Sequence, residues 1–155
     1  MHTLIKHIAK KIGINLFLIT SILICSNVSA EQSAEEIIKN RKVLFKKNYN
    51  TAKKVQSLSS NEDFNKAKEL MLEMSENYKS LKKMFPENTK EGFKTEALPL
   101  IWQEKNKFNL LMEKSSGDMV QLASVIENTD NIKGTLGKLM WANCKACHSK
   151  YREEH

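Results

Sequence analysis

The chain has 155 residues, with 25 Lys and Arg against 18 Asp and Glu and a formal net charge of +7 at neutral pH. This length fits one domain, so we expect a single core. The charged residues are spread along amphipathic stretches and do not cluster between aromatic residues, which argues against a nucleic-acid-binding surface.

Residues 1–30 have the three parts of a secretory signal peptide. A lysine-containing start precedes an apolar run over residues 12–25, and small residues follow at 28–30. The run of about 14 residues is shorter than the roughly 20 that span a bilayer, so we expect cleavage before Glu31 and no retained membrane anchor. The sequence therefore predicts an exported, periplasmic protein whose mature part, residues 31–155, is one domain.

Beyond residue 30, apolar residues recur three and four positions apart, which is typical of amphipathic helices. The pattern predicts a first helix over residues 34–57 and a second that reaches about residue 84. A third helix starts at about residue 100, and a fourth runs to about residue 152. Because short connections place each helix beside its predecessor, we expect an all-α, antiparallel up-down four-helix bundle.

The predicted helix boundaries rest on individual polar residues. Ser60 or Asn61 is expected to cap the second helix, and Thr129 or Asp130 is expected to cap the fourth. Gly117 lies inside the third helix, where it costs about 1 kcal/mol but need not break the helix.

The segment Cys144-Lys145-Ala146-Cys147-His148 matches CxxCH, the attachment signature of c-type haem. On a helix its two cysteines and its histidine stand at positions i, i+3 and i+4, so they share one face. Cys144 and Cys147 can then form thioethers with two haem vinyl groups while His148 binds the iron. The sequence predicts one covalent haem c with its iron.

Other uses of the cysteine pair remain open. A redox dithiol usually begins a helix after a strand, where the helix dipole lowers the thiol pKa. A structural zinc site needs about four ligands, and the mature chain offers Cys144, Cys147, His148 and the terminal His155. A third alternative is a haem-free helical protein with a Cys144–Cys147 disulfide.

The segment Asn143-Cys144-Lys145-Ala146-Cys147-His148-Ser149-Lys150-Tyr151-Arg152 resembles the carboxyl terminus of cytochromes c′. Thr95-Glu96-Ala97-Leu98-Pro99 and Ile101-Trp102 resemble the loop and the start of the third helix in that family, and Arg41 extends the likeness to the first helix. The resemblance implies that His148 is the proximal iron ligand, that Arg41 pairs with a haem propionate and that Arg152 lies beside the imidazole. Because Arg41 interrupts the apolar stripe of the first helix, its guanidinium must either extend to water or meet an anion, and the first of these is the alternative to the propionate.

The resemblance also assigns the opposite side of the iron to the first helix. Low-spin relatives place a methionine there, whereas high-spin cytochromes c′ place an apolar side chain, and one turn after Arg41 the residue is Phe45. We therefore expect a five-coordinate haem that binds nitric oxide or carbon monoxide. A low-spin electron carrier with Met71 or Met74 as sixth ligand is the alternative.

The resemblance implies a role in electron transfer or gas binding and not in enzymatic catalysis. A role in electron transfer further implies a redox partner protein, whose identity the sequence does not reveal. The family likeness further suggests a homodimer formed through the first two helices.

Overall fold

The computed structural model describes residues 32–154, which form the predicted antiparallel up-down bundle of four helical segments. The predicted signal peptide, its cleavage site and His155 lie outside the described residues. Within the described range, no helix has the length and apolar character needed to cross a bilayer.

Two long helices, α1 (Ala34–Ser60) and α2 (Phe64–Lys82), form the first antiparallel pair. A capping box begins α1, because the side chains of Ser33 and Glu36 each bond to the other residue's backbone N–H group. The predicted apolar stripes face the core. The apolar side chains buried there are Ile38, Ala52, Val55, Ala67, Met71, Met74, Tyr78 and Leu81.

The expected cap of α2 is wrong. The helix α1 continues through Ser60, and the N-cap of α2 is Asp63. Between them the chain makes a Schellman-type turn, in which the Asp63 N–H group donates to the Leu58 carbonyl at 2.9 Å and Glu62 has a φ of 61°. Ser60 and Asn61 therefore end α1 instead of starting α2.

The predicted third helix is divided into α3 (Leu100–Gln103) and α4 (Lys105–Val125). The division lies at Glu104, whose φ of −114° and ψ of 38° are outside the helical region. Gly117 is accommodated inside α4, as expected. A long connection precedes α3 and contains the short 3₁₀ turn Glu87–Thr89.

The last helical segment consists of α5 (Ile132–Leu136), a π turn (Gly137–Trp141) and α6 (Ala142–Tyr151). The Ala142 N–H group donates to the Gly137 carbonyl, an i to i−5 hydrogen bond of the kind that defines a π turn. Such turns are rare and often occur at functional sites. This π turn directly precedes α6, the helix that carries the CxxCH motif.

The expected cap of the last segment is also wrong. Asn131 caps α5, since its side-chain oxygen accepts a hydrogen bond from the Gly134 N–H group at 2.8 Å. Thr129 and Asp130 lie before this position, and the Thr129 hydroxyl instead contacts the hydroxyl of Thr135 at 2.9 Å.

Candidate functional site

The helix α6 carries both cysteines and the histidine of the CxxCH motif, so all three lie on one continuous helix, as predicted. Cys144 and Cys147 are half-buried free thiols, whereas His148 is exposed. Their i, i+3 and i+4 spacing directs them to one face. A planar group attached at both sulfurs would thus lie beside the imidazole.

The two thiols are held in their neutral form. Burial raises the pKa of Cys144, and burial with the nearby Cys144 sulfur raises the pKa of Cys147 to about 12. Redox dithiols and zinc sites both need a thiolate, whereas a thioether sulfur carries no charge. Within residues 32–154, no three His, Cys, Asp or Glu side chains converge as they would around a metal ion. The donor chemistry therefore fits haem attachment better than either alternative.

Tyr78 connects α2 to the motif. Burial raises the pKa of Tyr78, and polar interaction with the Cys144 and Cys147 sulfurs raises it further. The sequence places Tyr78 on the apolar side of the second helix, but the spacing alone does not reveal this polar contact.

His148 has the protonation state that a metal ligand requires. Burial lowers its pKa, the positive charge of Arg152 lowers it further, and the negative charge of Glu96 opposes both effects. The imidazole is therefore neutral at neutral pH, with a nitrogen lone pair available for iron.

The last helix was predicted to reach about residue 152, which would place Arg152 on the same helical face as His148, but Arg152 does not continue that face. The helix ends at Tyr151, and Arg152 has extended backbone angles, with φ −124° and ψ 145°. It pairs as an isolated β-bridge with Ala97, and its Nε atom lies 4.0 Å from a carboxylate oxygen of Glu96. The arginine still acts on His148 electrostatically, but from the extended segment that follows α6 and pairs with the loop before α3.

Arg41 is buried, with 2% of its surface exposed, so its guanidinium does not extend to water. It donates to the Met84 carbonyl at 3.2 Å, to the Thr89 hydroxyl at 2.9 Å and to the Thr89 carbonyl at 3.2 Å. A fourth hydrogen bond, at 2.5 Å, goes to the Thr95 hydroxyl. All four acceptors are neutral, and burial lowers the pKa of Arg41 to about 10. Its pairing with a propionate stays a prediction.

A cluster of aromatic side chains lies beside Arg41 and joins five parts of the chain. Its members are in edge-to-face contact, and they are Phe45, Phe85, Trp102, Phe108 and Tyr151. The Cζ atom of Arg41 is 4.5 Å from the centroid of the Phe85 ring, within cation–π distance. Phe45 is half-buried and lies 6.4 Å from Phe85, centroid to centroid. Its predicted position over the iron stays a prediction.

A second cation at this cluster was not found from the sequence. Lys105 donates to the Phe85 carbonyl at 2.7 Å, and its Nζ atom lies 5.6 Å from the centroid of the Phe85 ring. Burial lowers the pKa of Lys105, the negative charge of Glu87 opposes this effect, and the positive charge of Arg41 lowers the pKa further. A lysine at the start of a helix has no sequence signal that separates it from the solvated lysines around it.

The proposed sixth ligands of a low-spin protein are core residues. Met71 and Met74 are wholly buried and belong to the same hydrophobic cluster as Met112, Met119 and Met140. Flexible thioether side chains commonly fill irregular gaps in such cores.

Residues 36–152 match the family described as Cytochrome C'. The chain is similar to the curated cytochrome c′ of Rhodopseudomonas palustris (strain ATCC BAA-98 / CGA009), with 28% identity over 120 residues, which is 76% of this chain and 82% of that protein. The solved structure of a cytochrome c′ from Rhodopseudomonas palustris is similar with a TM-score of 0.70 and 27% identity, covering 79% of this chain and 98% of that one. The fold is also similar to cytochrome c′ from Thermochromatium tepidum, with a TM-score of 0.68 and 20% identity over 81% and 100% of the two chains.

Proposed function

The chain belongs to the cytochrome c′ family of c-type haem proteins, and we propose that it carries one haem bound covalently through Cys144 and Cys147, with His148 as axial ligand of the iron. The observation that carries this proposal is the arrangement on α6. Two half-buried, neutral thiols and a neutral imidazole share one helical face.

We propose that the opposite side of the iron is covered by Phe45 and has no protein ligand. A haem iron changes between the ferrous and ferric states, and it binds diatomic gases where one axial position is open. The phenyl ring offers neither a lone pair for iron nor a hydrogen-bond donor. Such a pocket favours nitric oxide and carbon monoxide and gives little help to dioxygen, whose bound form needs a donor. The protein then transfers electrons or binds gas without acting as an enzyme.

The neutral surroundings of Arg41 support its role toward a haem propionate. A buried cation is most stable when an anion compensates its lost hydration, yet the guanidinium donates to four neutral oxygens. Lys105 places a second positive charge at the same aromatic cluster. Two cations at one end of the bundle match the two carboxylates of one haem.

Export and dimerisation complete the proposal. Export directed by residues 1–30, followed by their removal, would deliver the cysteines to the periplasm.

The proposed homodimer is supported by apolar surface on the first two helices, since Val43 on α1 is 61% exposed and Leu72 on α2 is 48% exposed. Sedimentation velocity of the mature protein tests this, and a monomer at micromolar concentration would contradict it.

Pyridine haemochrome analysis of the purified mature protein tests the covalent haem. We expect one c-type haem per chain that stays with the polypeptide after acid extraction. The Cys144→Ser/Cys147→Ser variant should lose it, whereas Ser149→Ala should keep it, because Ser149 is an exposed residue of the same helix. Wild-type protein without covalent haem would overturn the proposal in favour of the disulfide alternative.

A further inference from the structure

Two side chains bond to carbonyl groups of the π turn that precedes the motif. The side-chain nitrogen of Asn143 donates to the Leu139 carbonyl at 2.9 Å, and the Cys144 sulfur lies 3.8 Å from the Met140 carbonyl. Each of these side chains bonds to the carbonyl four residues earlier in the chain, and both carbonyls belong to the π turn. The conformation of the turn is therefore coupled to residues 143 and 144.

Asn143 also joins the π turn to α4. Its second N–H donates to the Asp118 carboxylate at 2.8 Å, and both residues are buried, with 4% and 9% of their surfaces exposed. Lys114, one turn earlier on α4, pairs with the same carboxylate oxygen, and its Nζ atom lies 3.5 Å from the side-chain oxygen of Asn143. The side-chain amide of Asn143 therefore uses both of its protons, one for the Leu139 carbonyl in the π turn and one for the Asp118 carboxylate on α4.

A carboxylate in this position is costly unless it is paired and hydrogen-bonded. The bond from Asn143 is charge-assisted and directional, so it favours one rotation of the last helix relative to α4. Apolar packing alone fixes that rotation less sharply, because apolar contacts have no preferred direction. The residue that receives this constraint immediately precedes Cys144.

We propose that Asp118 and Asn143 are positioning residues that hold the π turn against α4. They thereby set the direction in which the side chains of Cys144 and His148 project from α6. This inference rests on the proposed haem attachment. In this proposal the pair acts through the backbone of the turn and is not a ligand of the iron. Its effect is on the orientation of the imidazole, and hence on the bond between His148 and iron.

The variants separate the contacts of the pair. Asn143→Leu keeps a side chain of similar size but removes both N–H donors of the amide group. Asn143→Ser is milder, because a serine hydroxyl can still bond to the carbonyl of Leu139 one turn earlier but is too short to reach α4. Asp118→Asn keeps an acceptor for Asn143 without the charge, whereas Asp118→Leu removes it. Ser149→Ala is the control on the same helix.

Two readouts are taken on the haem-loaded protein. Hydrogen exchange of residues 137–143 should become about tenfold faster in Asn143→Leu and Asp118→Leu, since the loss of one charge-assisted hydrogen bond weakens local closing by about that factor. The resonance Raman band of the iron–imidazole bond in the ferrous protein should shift or broaden in these variants and in Asn143→Ser. Asp118→Asn and the control should retain the wild-type band.

Faster exchange with an unchanged iron–imidazole band in Asn143→Leu and Asn143→Ser would overturn the positioning role and leave only a structural contact. A band that shifts equally in Asp118→Asn and Asp118→Leu would also overturn it, because the retained hydrogen bond would then have no effect. Pyridine haemochrome analysis of each preparation separates these results from a failure of the proposed function, which would appear as wild-type protein without covalent haem.

Discussion

Replacement of Arg41 by methionine removes the guanidinium but keeps most of the apolar stem. Four hydrogen bonds are lost, and the acceptors on Thr89 are beyond the reach of water, because that residue is 0% exposed. Each buried acceptor left unsatisfied costs about 1 kcal/mol or more, and the lost cation–π contact with Phe85 costs about 0.5–1 kcal/mol. Relief from burying a charge offsets part of this cost, and loss of the proposed propionate pair adds to it in the haem-loaded protein. We expect a net loss of about 2–4 kcal/mol.

Lysine at the same position keeps the positive charge but not the planar fork of donors. Arg41→Lys should therefore lose about half as much stability as Arg41→Met, roughly 1–2 kcal/mol. The neighbouring Lys42 supplies the control, since its ion pair with Glu96 is solvent-exposed and contributes little.

Urea unfolding of the haem-loaded protein, followed by far-ultraviolet circular dichroism, measures these differences through the midpoint and slope. The slope should stay constant, so that the midpoint reports stability. If Arg41→Met stayed within about 0.5 kcal/mol of wild type, or lost no more stability than Lys42→Met, the reasoning that these four hydrogen bonds stabilise the fold would be refuted.

Three further predictions concern single side chains. Trp102→Phe removes the indole donor that bonds to the Phe85 carbonyl at 3.1 Å, so urea unfolding should show a loss of about 1–2 kcal/mol; unchanged stability would contradict it. Phe45→Met places a thioether opposite the imidazole, and the optical spectrum should become low-spin with weaker carbon monoxide binding; an unchanged spectrum would mean that residue 45 does not face the iron. Hydrogen bonds from Lys150 and Lys107 lower the pKa of Glu104 from 4.5 to about 2. The contribution of this carboxylate to stability is therefore complete above pH 4.5 and is lost as the pH falls toward 2. Glu104→Gln should therefore be less stable than wild type at pH 7, and the difference should close near pH 2; a gap independent of pH would contradict this.

The sequence was sufficient for the features that repeat or that carry a specific spacing. Apolar periodicity predicted the helices of the bundle, because the same stripes that mark each helix are the surfaces that it buries. The CxxCH spacing predicted that Cys144, Cys147 and His148 share a face of α6. The apolar periodicity and the CxxCH spacing are local properties of the sequence, so they can be read without knowing which distant segments pack together.

The features that the sequence did not reveal depend on contacts between distant segments. The break at Glu104 lies among helix-forming residues, and the π turn contains no proline and one poor helix former, Gly137. Neither sequence specifies a break or a π turn, so tertiary packing decides them. The bond between Asp118 and Asn143 joins positions 25 residues apart. Lys105 looks like any exposed lysine until the chain folds against the Phe85 carbonyl.

The optical spectrum of the purified protein, recorded oxidised, reduced and reduced under carbon monoxide, tests the central claim most directly. An iron bound by His148 alone, with Phe45 over its other face, predicts high-spin spectra in both oxidation states and a shift when carbon monoxide binds the ferrous protein. A low-spin spectrum indifferent to carbon monoxide would contradict the account and would assign a sixth ligand to the iron, with Met71 and Met74 as the candidates to substitute next.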